Sequence, residues 1–380
     1  MSTSSFSKSQ VEVIDLQQQV ARLQALLEVS RQVHAAVRPE EVLQSVLRIV
    51  VRELEMAGAH VTEPALTIGD MPPAPWDGCP RYALLSKDGT QLTELVVNPG
   101  PGKTLSLYEQ DFLEGLVLQA GVAVENAHYH DRAVEWARVQ QDLDAARAIQ
   151  RSLLPQQMSE ISGYSVAVRS STCYEVGGDY LDIIPLTSGE LMIVVADVAG
   201  KGLASALVGS SFRSALRAIA NSGMSLVDIA THMNVLHYNE GEESRRRYVT
   251  AIFLRLDPNT HTLEVVNAGH NPGFLLNGSD LPEMIEASGT PVGMLPFSTY
   301  SAEKYVLSNK AKLLIYTDGM TEVFQGNEEF GQDRLLEAFR ASRAVDAPST
   351  LKSIWQALDA FSNQESQTDD MTALVIGRKP

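Results

Sequence analysis

Four short stretches of the chain put a carboxylate at the edge of an apolar run: VGGDYLD (176–182), ADVAGKG (196–202), YTDGMTE (316–322) and DDMT (369–372). A lone buried carboxylate is costly to desolvate and persists where it is paired, hydrogen-bonded or bound to a cation. Asp197, Asp318 and Asp369 sit at or near the ends of apolar runs. Asp179 follows Gly177 and Gly178, whose missing side chains let backbone come close. No histidine or cysteine cluster accompanies these acids. All-oxygen donors suit Mg²⁺ or Mn²⁺ rather than zinc. Several carboxylates around one point would repel one another without cations. With two cations about 3.5–4 Å apart they would form a site that activates water and clamps a phosphoryl group. Each motif alone also has an ordinary reading, TDG as a type I turn and DD as a helix N-cap.

Other residues near these motifs carry weaker signals. AGKG (199–202) is not a phosphate-binding P-loop, because the glycine required five positions before Gly200 is Val195. Lys201 is either a solvated lysine or a contact for substrate phosphate. His270, in NAGHNPG, is either a structural turn histidine or an acid near a leaving group. Asp182 either supports the acids from behind or is an exposed strand residue, and Asp370 reads as a cap or support for its turn. Arg245–Arg247 is a charge run that is solvated by default or attracts a phosphoprotein. Cys173 has no basic phosphate-binding loop around it, so a thiol mechanism is not expected. His128 and His130, two residues apart, do not face each other on a helix and read as surface residues.

The acids need strands to hold them. From Gly163 onward, strand-like runs begin at Tyr164, Tyr180, Glu190, Arg247, Thr262, Gly273, Lys304, Ala311 and Met371. Helical patterns interrupt them at 203–220, 225–240, 331–343 and 349–361. Adjacent strands without helices between them favour antiparallel pairing, and helix pairs grouped between strand runs suggest an α+β sandwich.

Upstream the pattern is helical. Val13, Leu16, Val20, Leu23 and Leu27 form a short heptad seam, read as a coiled coil or as an amphipathic helix. Pro39 starts a helix ending near Leu54. Residues 70–80 are a Pro- and Gly-rich loop, and 81–97 is a hairpin turning at Lys87-Asp88-Gly89. A long helix then starts at Ser106. It carries a second seam of Trp136, Val139, Leu143, Ala146, Gln150 and Leu153, and ends before Pro155. Gln150 is the polar member of that seam, of a type that sets register. The expected organisation is an N-terminal helix (1–30), a sensory or dimerisation domain (31–130), a coiled-coil signalling helix (131–155) and a catalytic domain (156–380).

Composition narrows the class. The 380 residues carry a formal net charge of −17, which argues against nucleic-acid binding. Cys79 and Cys173 define neither a disulfide framework nor a zinc site. No run of about 18 apolar residues exists, and the start lacks a signal-peptide core, so a cytoplasmic protein without a membrane span is expected.

Taken together, AIQRSLLPQ, VGGDYLDII, ADVAGKGLASAL, YVTAIFLRLD, NAGHNPGFLL, LLIYTDGMTEV and DDMTALVI resemble the metal-dependent Ser/Thr phosphatases of the PPM (protein phosphatase 2C-like) family, SpoIIE/RsbU type, over about residues 145–378. The resemblance implies an αββα sandwich with two Mn²⁺ or Mg²⁺ ions between the sheets. It implies that Asp197 bridges them beside the Val198 carbonyl, that Asp179 serves one ion, and that Asp318 and Asp369 serve the other. It further implies a water nucleophile activated by metal, no phosphoenzyme, and a phosphorylated anti-sigma-factor antagonist as protein substrate in a partner-switching circuit. The helix–strands–helix order ending in LVLQAGVAVENA resembles a GAF sensory domain, which implies control from the N-terminal side; the Trp136–Leu153 seam predicts a homodimer through that domain and the linker helix. Two alternatives are a catalytically silent dimeric scaffold and a cyclic-nucleotide sensor. Retention of all four acids argues against the first, and the short middle of the GAF-like segment against the second.

Overall fold

The computed structural model describes residues 31, 33, 38–153, 161–279, 281–342, 346–363 and 367–380. The Val13–Leu27 seam and Pro155 lie outside these residues. The chain divides into two compact units, Met1–Gln140 and Gln141–Pro380.

In the first unit, α1 (Pro39–Glu53) starts on a proline whose fixed φ suits a first helical turn, with Glu40 and Glu41 at its positive end and Arg52 in its last turn. Its buried face is Val42, Leu43, Val46, Leu47, Ile49 and Val50. Four strands follow, β1 (Gly58–Val61), β2 (Leu66–Gly69), β3 (Arg81–Leu85) and β4 (Gln91–Asn98). They form an antiparallel sheet in the order β2-β1-β4-β3. The expected hairpin is β3–β4, closed by Ser86 N–H donating to the Thr90 carbonyl at 2.9 Å. The β1–β2 pair has no counterpart in the sequence reading, because four-residue strands are too short to show a period. Helix α2 (Leu107–Leu153) buries Phe112, Leu113, Leu116, Val117, Ala120, Ala123, Val124 and Ala127 in its first half. Beyond Ala127 its apolar residues lose cover: Trp136 is 70% and Val139 44% exposed. An open cleft of about 790 Å³ in this unit is lined by Leu43, Pro64, Leu92, Val124, His128 and Val134, among others.

The second unit is a sandwich of two five-stranded antiparallel sheets. Its elements are β5 (Tyr164–Ser171), β6 (Tyr180–Pro185), β7 (Leu191–Val198), α3 (Leu203–Ile219), α4 (Leu226–Asn239), the short α5 (Glu242–Arg246), β8 (Val249–Asp257), β9 (Thr262–Ala268), β10 (Gly273–Leu276), β11 (Glu283–Ile285), β12 (Glu303–Val306), β13 (Lys312–Tyr316), the minor hairpin β14 (Phe324–Gln325) and β15 (Glu328–Glu329), α6 (Gly331–Ala341), α7 (Ala347–Ser362) and β16 (Met371–Arg378). One sheet runs β12-β9-β8-β7-β6 and the other β11-β10-β13-β16-β5.

Strand alternation separates three cores. On β7, Met192, Val194, Ala196 and Val198 meet Phe212 and Leu216 of α3 and Ile229 of α4. The intervening Ile193 and Val195 pack between the sheets with Leu313, Ile315, Leu374 and Ile376. On the far side Leu314, Tyr316, Ala373 and Val375 meet Leu335 and Phe339 of α6 and Trp355 of α7. The layers are therefore helices, sheet, sheet, helices. All nine strands and four helices read from the sequence are present.

Candidate active site

The same alternation aims the acids. On β7 the set facing the other sheet is Ile193, Val195 and then Asp197. On β6 it is Leu181 and Ile183, preceded by Asp179. On β16 it is Ile376, Leu374, Thr372 and then Asp370; on β13, Leu313, Ile315 and then Thr317. Each strand thus delivers a polar residue into the inter-sheet space where the apolar core stops. β7 ends beside the start of β6, pairing Ala196 with Tyr180, and β13 ends beside the start of β16, pairing Tyr316 with Ala373. Asp179 and Asp197 come from one sheet; Asp318 and Asp369 come from loops of the other.

These loops are closely fitted. Asp318 opens a 3₁₀ turn, Asp318–Met320. A Cβ on Gly319 would lie 2.0 Å from the Asp370 carbonyl oxygen, so only glycine lets the two loops touch. A Cβ on Gly178 would lie 2.9 Å from the Val198 carbonyl oxygen and 3.3 Å from Asp197 Oδ1. Thr317 Oγ1 donates to Asp179 Oδ2 at 2.8 Å and accepts from the Thr372 amide at 2.9 Å, linking the sheets through one hydroxyl. Asp370 supports a different loop from the turn the sequence reading gave it: its oxygens accept from the Cys173 amide at 2.8 Å and the Gly178 amide at 2.7 Å. Gln150 of α2 holds the same loop from the other side. Its Nε2 donates to the Gly177 carbonyl at 2.7 Å, and the Gly177 amide donates to its Oε1 at 3.1 Å.

The acids sense one another. Burial, then the charge of Asp197, pushes the Asp179 carboxyl well above the usual carboxylate range. Asp197 is pushed up to about 7 by burial, then by Asp318, Asp369 and Asp370. Burial and Asp369 raise Asp318. Asp179 Oδ1 is buried without a hydrogen-bond partner. Among the described residues no three His, Cys, Asp or Glu side chains are already close enough to hold one ion as they stand. Lys201 reaches in from the β7–α3 loop, its Nζ 2.8 Å from Asp369 Oδ2 and donating to the Thr368 carbonyl at 2.8 Å. An orphaned buried carboxylate oxygen, a ring of acids from two sheets and a main-chain carbonyl beside them form an all-oxygen donor set. That set fits hard divalent cations.

The remaining candidates separate clearly. Asp182 belongs to the Tyr180/Ile184 face, away from the inter-sheet space. It is fully buried and bonded to Arg217 Nε at 2.6 Å and Nη2 at 2.7 Å, and to the Tyr180 hydroxyl at 2.7 Å. It is neither exposed nor beside the acids, so both sequence readings of it are corrected. The face parity of β6 was the available signal. His270 is buried, its Nδ1 3.0 Å from Thr250 Oγ1, and burial lowers its pKa to about 4. A neutral imidazole of that kind is a poor proton donor at neutral pH, which favours the structural reading. Arg246 and Arg247 pair with Glu242 and Glu243, and Arg245 stacks over Tyr238 at 4.8 Å, the solvated arrangement. The Cys173 thiol is raised by burial first, the opposite of a reactive thiolate. Sequence reasoning missed Thr317, Thr372 and the second role of Gln150, since a threonine in a strand and a polar residue on a seam carry no distinctive spacing.

An αββα sandwich with carboxylates converging where the two sheets end is a PP2C-like fold. The family model for stage II sporulation protein E (SpoIIE) matches residues 187–379, half of the chain, and the chain belongs to this family. Asp197, Asp318 and Asp369 lie within the match and Asp179 just ahead of it. The chain is 28% identical over 187 residues to phosphoserine phosphatase RsbP of Bacillus subtilis, covering 48% of this chain and 45% of that protein. It is 22% identical over 270 residues to phosphoserine phosphatase RsbU of the same organism, covering 71% and 79%. The chain spans less than half the length of the first curated relatives it matches. In fold it is similar to the SiaA-PP2C domain of Pseudomonas aeruginosa, with a TM-score of 0.58 and 20% identity, covering 64% of this chain and 99% of that one.

Proposed function

We propose that this chain is a metal-dependent phosphoprotein phosphatase that removes phosphate from a serine or threonine. Its substrate is an anti-sigma-factor antagonist of a partner-switching circuit, and its N-terminal unit and linker helix set its activity in a homodimer. The observation that carries the reading is Asp179 Oδ1, buried and unpartnered, beside Asp197 at the end of the inter-sheet core. A carboxylate with one buried oxygen bare and only the Thr317 hydroxyl on the other is too costly to be a packing residue. The names of RsbP and RsbU support the phosphoserine chemistry.

Asp197, with the Val198 carbonyl beside it, would be shared between two ions; Asp179 would serve one of them, and Asp318 and Asp369 the other. Two divalent cations held there would supply the Lewis acidity that makes water nucleophilic at neutral pH and screens the phosphoryl oxygens. The protein's part is positioning. Thr317 fixes the rotamer of Asp179, Asp370 and Gln150 fix the loop that carries it, and Gly319 lets the Asp318 loop seat against Asp370. In the N-terminal unit, the four-stranded sheet flanked by α1 and α2 supports a GAF-like reading, and its open cleft offers space for a small ligand. No helix among the described residues is long and apolar enough to cross a membrane.

The test is hydrolysis of p-nitrophenyl phosphate and of a phosphoseryl protein with Mn²⁺ or Mg²⁺. Activity should vanish in EDTA, return with excess metal, and persist in Cys173→Ser. Full activity in EDTA overturns the reading.

A further inference from the structure

Lys201 is placed with more care than a solvated lysine requires. It stands between Gly200 and Gly202, whose φ values of +100° and +76° form a turn that side-chain-bearing residues rarely adopt. That turn lifts the side chain off the β7–α3 loop and across to the loop before β16 in the opposite sheet. There Nζ lies 2.8 Å from Asp369 Oδ2 and donates to the Thr368 carbonyl. The Thr368 hydroxyl in turn donates to the Glu322 carbonyl at 2.9 Å, tying this loop to the turn that begins at Asp318. The Lys201 side chain is 47% exposed and that of Asp369 25%. The ammonium therefore sits at the mouth of the acid cluster, not in its floor.

We propose that Lys201 is a tethered cation that competes with divalent metal for Asp369 and so sets the free-metal concentration at which the site fills. This rests on the metal-dependent reading of the site. An ammonium on a flexible stem is a point charge that can swing away without losing its proton. It offers one positive charge to an acidic cluster in which the charges of Asp318, Asp369 and Asp370 raise Asp197, and that of Asp369 raises Asp318. A divalent ion offers two, and must displace the ammonium to use Asp369 Oδ2. The contact costs the protein metal affinity while it keeps the metal-free site from repelling itself apart. Lys201 acts through Asp369 and is a positioning residue.

The test measures Mn²⁺ binding to the full chain by calorimetry or by the electron paramagnetic resonance of free Mn²⁺. Lys201→Gln should bind about three- to tenfold more tightly. Lys201→Arg, which keeps the charge, should return to within about twofold of wild type. In an Asp369→Asn background Lys201→Gln should change affinity by less than about twofold, because the carboxylate over which metal and lysine compete is gone. Equal or weaker binding by Lys201→Gln overturns the proposal. So does the same tightening in the Asp369→Asn background, which would mark a general field effect rather than competition at this carboxylate. A wild-type chain that takes up no Mn²⁺ overturns the metal reading of the site itself.

Discussion

Gln150 and Gly177 exchange two hydrogen bonds, side-chain amide to main-chain peptide, at 2.7 and 3.1 Å. Gln150 lies on the last turn of α2, and Gly177 is two residues before Asp179. The polar residue that the heptad pattern assigns to a helix–helix seam is thus engaged with the loop that carries a candidate metal ligand. Asp370 grips the neighbouring amide at Gly178, so the loop is held between the helix and β16.

Gln150→Leu should therefore act opposite to a seam repair. It leaves a peptide carbonyl and amide without their partners, a loss of about 1–3 kcal/mol. The expected result is a lower melting temperature and a higher Mn²⁺ requirement for p-nitrophenyl phosphate hydrolysis. Gln150→Glu retains an acceptor for the Gly177 amide but sets a carboxylate against the Gly177 carbonyl, and should be no better. A Mn²⁺ titration of rate for the three proteins checks this. An unchanged titration midpoint for Gln150→Leu would show that the clasp does not position Asp179.

Asp197→Asn should lower the rate by about 10²- to 10³-fold, the scale seen when one charge-stabilising group is removed from an active site. The same change removes a buried charge from a cluster of like charges, so the metal-free protein should become more stable at pH 8. Loss of turnover together with a gain in melting temperature in EDTA is the expected pair. Wild-type turnover across a Mn²⁺ titration would remove Asp197 from the site.

The raised Asp197 and Asp179 carboxyls also fix a sign for pH dependence. Between the ordinary carboxylate pKa near 4 and the folded value of about 7 for Asp197, the folded chain holds a proton that the unfolded chain has released. Stability of the metal-free protein should fall through this window as pH rises. His270, lowered to about 4, works in the opposite direction up to its ordinary value near 6.5. The comparison that isolates Asp197 is melting temperature against pH for wild type and Asp197→Asn in EDTA. The two curves should diverge as pH rises from 5 to 8, with wild type lower. Saturating Mn²⁺ should remove the wild-type decline. Parallel curves would mean that Asp197 is ionised in both states.

Much of this arrangement was legible because strands report their faces. The run Leu191–Ala196 before Asp197 is uniformly apolar, and so is Leu313–Tyr316 shortly before Asp318, as buried strands are, so both acids read as strand-end residues. The β3–β4 hairpin was marked by Lys87-Asp88-Gly89. Contacts distant in sequence left no such trace. Thr317 touches Asp179 across 138 positions, and Lys201 reaches Thr368 across 167. No local period encodes either contact. Asp182 shows the intermediate case: its parity with Tyr180 and Ile184 was present in the sequence, but its partner Arg217 lies on another element. The exposed end of the seam, at Trp136 and Val139, has no partner among the described residues of this chain.

Inserting four residues after Val139 tests that reading. Four residues advance a helix by about 400°, so everything downstream turns by about 40° and moves about 6 Å relative to everything upstream. In a two-stranded coil this breaks the 3.5-residue repeat between Val139 and Leu143. The Gln150–Gly177 clasp lies downstream and should be untouched, so the catalytic unit should melt as before. If a dimer seam transmits register to the site, the phosphatase rate should change by more than about threefold while light scattering still gives twice the monomer mass. A seven-residue insertion restores the repeat and should return the rate toward wild type, which separates register from mere lengthening. A monomer whose rate is unaffected by the four-residue insertion and by removal of residues 1–140 would end the regulatory reading and leave the phosphatase assignment standing.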